Sequence, residues 1–81
     1  AQEPGSVTIY PNPANEFIEV VVADHNELFD VTIFDTTGRS VAQGSGSRKL
    51  LLDTGDLSSG VHMVRISLAG SVVLERVVVM R

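Results

Sequence analysis

Asp24, His25, Glu27 and Asp30 place four oxygen or nitrogen donors within seven residues. Donors of those types hold metals, but this spacing does not fix a coordination geometry by itself. A solvated acidic loop is the reading. His62 is the next residue with chemistry to offer. Ser, His and Asp all occur in the chain, yet there is no Gly-x-Ser-x-Gly elbow, and a domain this small offers no pocket to hold a triad. The expectation for His62 is a partly buried ring with a hydrogen-bond partner. Asp35, Thr36, Thr37 and Gly38 lack the alternating oxygen ligands of a calcium loop and read as a β-turn with an Asx-type hydrogen bond. Gly44, Ser45, Gly46 and Ser47 match neither a phosphate loop nor a dinucleotide fingerprint and read as a flexible connection. No catalytic residue, metal ligand or cofactor is assigned.

The composition bounds the function further. With 81 residues the chain makes one small domain, and such a domain buries only roughly 60% of its unfolded surface. Without cysteine it has no disulfide and no thiolate metal site. A net charge of −4 with no basic cluster argues against nucleic acid. The absence of Trp and the single Tyr argue against stacking on sugars or bases. No apolar run approaches the roughly 20 residues of a membrane-spanning helix, and no charged segment followed by an apolar stretch marks a signal peptide. The missing initiator Met suggests a processed product or a fragment of a longer protein.

The elements that would position these residues are short β-type runs broken by turn residues. Residues 1–6 are polar, with Pro4 and Gly5, and read as a linker. Residues 7–10 form a first strand that Pro11 and Pro13 stop, because proline cannot donate to a ladder. Asn12 between them is a turn residue. Residues 17–22 turn Ile18, Val20 and Val22 to one face, and residues 29–34 do the same with Phe29, Val31 and Ile33. Residues 39–43 and 50–53 are further short strands, and the loop of residues 54–60 has room for one helical turn. Residues 61–68 alternate, with His62, Val64, Ile66 and Leu68 together. A tight turn at Ala69, Gly70 and Ser71 leads into residues 72–80. There two faces compete: Val72, Leu74, Val78 and Met80 against Val73, Val77 and Val79.

Seven strands and no helical period predict an all-β, seven-stranded antiparallel, immunoglobulin-like sandwich. Its last strand is apolar on both sides. Such a strand is either central and covered twice, or it presents one face to a partner.

In this order the blocks resemble the type A C-terminal sorting domain of the type IX secretion system of Bacteroidetes. The resemblance covers residues 7–81. It rests on Tyr10, Pro11, Asn12, Pro13 and Ala14 at the opening, then on Asp35, Gly38 and Arg39 after Val31, Ile33 and Phe34. Asp56, Leu57, Ser58 and Gly60 follow, running into Val64, Arg65 and Ile66, and the valine-rich end closes on Arg81. Each motif is weak alone, whereas five in order are specific. The family usually places Tyr or Phe two residues after the loop glycine, where this chain has His62. The resemblance implies a non-catalytic signal that carries an N-terminal cargo of the same polypeptide through the periplasm and across the outer membrane. The translocon and a surface sortase recognise it, and it is then cleaved off or kept as a docking module at the cell surface. A cut would fall near residues 1–6.

The residues expected to carry translocon recognition are Val77, Val78, Val79, Met80 and Arg81. Pro11, Asn12, Pro13, Asp35, Gly38 and Gly60 are expected to be structural. Small β-sandwiches also serve as adhesion or carbohydrate-binding modules, and an exposed edge strand would allow a homodimer or a strand-donating assembly subunit.

Overall fold

β1 (Val7–Tyr10), β2 (Phe17–Val22), β3 (Leu28–Phe34), β4 (Ser40–Ser47), β5 (Lys49–Asp53), β6 (Gly60–Leu68) and β7 (Ser71–Val79) follow one another in a computed structural model. It describes residues 7–11, 14, 16–23, 27–68 and 70–80. No helix occurs among the described residues. All strand pairs are antiparallel, in the order β1-β2-β5-β4-β3-β6-β7.

Two layers arise from this order because β4 and β5 pair only at Ser47 and Lys49. The chain folds over at that corner. Arg48 there takes a φ of +70°, and its carbonyl accepts a hydrogen bond from the Val22 amide at 2.7 Å. One layer is β1-β2-β5 and the other is β4-β3-β6-β7. Together they form the immunoglobulin-like sandwich that the alternating pattern predicts.

The core sits between the layers. Ile18, Val20, Val22 and Leu52 come from the first layer, and Phe29, Val31, Ile33, Val64, Ile66, Val77 and Val79 from the second. Each side chain so buried contributes roughly 1.5–3 kcal/mol. The faces read from β2, β3 and β6 are the ones observed, because with a period of two a one-residue slip would turn Ile18, Val20 and Val22, or Phe29, Val31 and Ile33, out of the core.

Two expectations fail. Residues 56–59 form no helical turn. Gly44, Ser45, Gly46 and Ser47 are not a flexible connection but the second half of β4, paired with Val31, Asp30, Phe29 and Leu28. The glycines are there for clearance. A Cβ on Gly46 would stand 2.7 Å from the Lys49 carbonyl oxygen, and one on Gly44 would stand 2.9 Å from Leu52 Cδ2. The strand passes under β5 at the corner, and at Gly46, where the neighbour is backbone, only a residue without a side chain fits.

Candidate functional site

The terminal strand is where sequence reasoning placed recognition. β6 and β7 form a hairpin around Gly70, which takes a φ of +79°. They pair without interruption from Leu68 with Ser71 to Gly60 with Val79. That register settles the competition between faces. Val77 and Val79 point inward and are 1% exposed, with Val73 half-buried on the same side. Val72 and Leu74 point outward and are 58% and 60% exposed. Met80 is also exposed, and Val78 is half-buried. β7 is not a central strand covered on both sides. It is the edge of its sheet, with one face in the core and the other at the surface.

Part of that edge is closed from within the chain. Ala14 lies beside Val79 in a parallel bridge. Its amide donates to the Val78 carbonyl at 2.7 Å, and the Met80 amide donates to its carbonyl at 2.8 Å. The opening motif therefore docks on the closing one. Pro11 is exposed just beyond β1, where a proline that stops a strand belongs. Asn12, Pro13 and Arg81, together with Asp24, His25 and the proposed linker of residues 1–6, lie outside the described residues.

The turn after β3 is built by Asp35. Its Oδ1 accepts hydrogen bonds from the Thr37 amide at 2.9 Å, the Thr37 hydroxyl at 2.6 Å and the Arg39 amide at 3.0 Å. Arg39 Nε stands 3.5 Å from Oδ2. The Thr37 hydroxyl above all, and then the Arg39 amide, hold the Asp35 carboxyl below its ordinary pKa. Gly38 supplies the φ of +87° that closes the turn. This carboxylate spends its lone pairs on the backbone, as an Asx turn does.

A second loop faces that turn. Thr54 and Leu57 are buried, the Leu57 amide donates to the Thr54 carbonyl at 3.1 Å, and Gly60 restarts the chain at a φ of +134°. Asp35, Arg39, Asp56, Ser58 and His62 line a cleft of about 320 Å³ between the two loops. Serine, histidine and aspartate thus meet, but not as a triad. The His62 ring is buried, and its Nδ1 pairs with the Gly60 carbonyl at 3.1 Å, with no hydrogen bond to Ser58 or to a carboxylate among the described residues. A triad needs the nucleophile bonded to one ring nitrogen and an orienting acid on the other.

Two features went unseen in the sequence. On the outer face of the first layer, the Tyr10 hydroxyl donates to Glu19 Oε1, and Lys49 Nζ stands 3.4 Å from Glu19 Oε2. The three residues come from three strands, and only the register brings them together. On the outer face of the second layer, Val61, Met63 and Arg65 of β6 lie beside Leu74 and Arg76 of β7. The alternation of residues 61–68 already set Met63 and Arg65 opposite the core. What it lacked was the neighbouring strand's register.

The domain is a seven-stranded sandwich whose Asp35 turn bonds to its own backbone and whose edge strand β7 turns one face into the core. The family model described as the secretion system C-terminal sorting domain matches residues 8–80, and the chain belongs to that family. Its domains direct export across the outer membrane to the cell surface or the medium and are in general non-catalytic. Among curated proteins, none matches the chain.

Proposed function

We propose that this domain is a non-catalytic signal of the type IX secretion system. It is recognised in folded form by the outer-membrane translocon while its cargo waits in the periplasm, and afterwards by a surface sortase. Membership of the sorting family makes it an export signal, and the observation that adds most is the double character of β7. Val77 and Val79 lock the strand into the core, so its exposed side is held rigid for a partner. Val78 and Met80 flank an apolar hollow of about 420 Å³ with Ser59 and Gly60. In this reading Val77 and Val79 act by placing the strand, while Val78, Met80 and Arg81 meet the translocon. Residues 1–6 form the linker near which the sortase cuts when the domain is removed, and residues 7–81 are the signal.

The test is a secretion assay. The 81-residue chain is fused behind a signal peptide and a reporter that folds in the periplasm. It is then expressed in a Bacteroidetes host with and without a working translocon. Reporter at the surface or in the medium only when the translocon works is the expected result, and its size tells cleavage from retention. A folded fusion held in the periplasm of both hosts would overturn the reading and bring forward an adhesion or glycan-binding module.

A further inference from the structure

We propose that the outer face of the β6–β7 hairpin is the surface on which a protein partner holds this domain, and that the partner meets it with apolar side chains flanked by carboxylates. The proposal rests on the sorting reading above and names the chemistry of its partner. Val61, Met63, Val72 and Leu74 are all exposed on this face, which is continuous because the hairpin register is unbroken. Set among them are Arg65, opposite Leu74, and Arg76, opposite Met63.

No Asp or Glu occupies an outward position of β6 or β7: Glu75 alternates with Val73 and Val77, though it is exposed, and the acid on the neighbouring strand is Asp30 of β3, opposite Ser67. In a chain with 10 acidic and 6 basic residues, the outward positions of the hairpin itself thus carry two arginines and no acid. The Arg65 guanidinium lies over the Phe34 ring, 5.2 Å from its centroid, and has no carboxylate within 4 Å among the described residues. A cation held over an aromatic ring with no carboxylate in contact is a group that an incoming carboxylate would pair with.

Two other occupants fit less well. An anionic lipid surface would be repelled by the net charge of −4 and would find no Trp or Tyr on this face. A second copy using the same face would set arginine against arginine.

The first measurement is a titration of the isotope-labelled domain with a strand peptide alternating valine and glutamate, and with its lysine counterpart. Amide shifts should centre on Val61, Met63, Arg65, Val72 and Leu74. The acidic peptide should act at about tenfold lower concentration, and Arg65→Glu should abolish the difference. Equal response to both peptides, shifts centred elsewhere, stronger binding to anionic phospholipid vesicles, or self-association on sizing would each overturn the proposal.

The second measurement is secretion of Arg65→Glu and Leu74→Ser fusions, with Leu51→Ser on the opposite outer face as control. The first two should lose secretion by about tenfold or more while keeping the wild-type circular dichroism, and Leu51→Ser should not. If the folded variants export as wild type does, this face is not the docking surface although the sorting reading stands. If wild type itself is not exported, the sorting reading fails and the peptide titration alone decides.

Discussion

Ala14 and Val79 lie side by side across the open edge of the second sheet, joined by two hydrogen bonds of 2.7 and 2.8 Å to the residues flanking Val79. Both side chains are 1% exposed. The terminal strand is thus fixed from three directions: by β6, by the core and by the opening segment.

That fixing gives the first prediction. Val77→Ala and Val79→Ala should each cost roughly 1.5–3 kcal/mol by urea denaturation, the lost methyls plus the cavity they leave. Val78→Ala should cost under about 1 kcal/mol because its side chain is only half-buried. Removing residues 77–81 should abolish the cooperative transition, so a truncated domain that is not exported has lost its fold as well as its end.

The corner between the layers gives the second. Gly46→Ala should cost roughly 1–3 kcal/mol, because the new Cβ meets a backbone carbonyl that cannot move aside. Gly44→Ala should cost less, since it meets the far end of the Leu52 side chain, which can rotate. Equal losses at the two positions would mean that the chain does not pass under β5 in this way.

Those glycines also show where reading the sequence stopped. Composition treats Gly-Ser-Gly-Ser as flexible because glycine frees the backbone and serine is polar. Here the same residues are paired strand, since glycine also lets two strands approach. Nothing within residues 44–47 distinguishes the two uses; the distinction lies in Leu50 and Leu52, which close over them from another strand. The core faces of β2, β3 and β6 were legible because each strand carries its own alternation. The face of β7 was not, because it is apolar on both sides and is decided by pairing Val77 with His62. The opening and closing motifs were legible as blocks, and their contact at Ala14 was not, since a single-residue bridge leaves no period.

Two glycines with positive φ should behave differently. Gly38, at +87°, lies nearer the left-handed region that Asn tolerates, so Gly38→Asn should lose less stability than Gly38→Val. Gly60, at +134°, lies outside that region, so Asn should bring no relief over Ala there, and both should cost roughly 1–3 kcal/mol. Thermal denaturation of the four variants checks this.

The charged cluster on the first layer predicts a pH dependence with two limbs. The Tyr10 hydroxyl above all holds Glu19 below its ordinary 4.5; burial opposes it, and Lys49 adds to the lowering. A depressed carboxylate contributes stability that is complete above the unfolded value and fades as pH falls through the folded one. The same hydrogen bond raises Tyr10 above its ordinary 10.0, so that contribution is complete below 10.0 and fades as pH rises through the folded value. Glu19→Gln should therefore flatten both ends of the stability profile, whereas Asp35→Asn should flatten only the acid end, below the ordinary 3.8 of that carboxyl. Denaturation midpoints taken across the pH range would show it. An unchanged alkaline limb in Glu19→Gln would remove the Tyr10 bond from the account.

The bridge from Ala14 to Val79 spans nearly the length of the described chain, and a ribosome delivers its two ends far apart in time. Until β7 has been made, Ala14 has no strand to pair with, and the core lacks both Val77 and Val79. Contacts this distant in sequence form late. A polypeptide that stops short cannot complete the sandwich, and a surface displayed only by the finished sandwich then certifies that translation has run past its last strand.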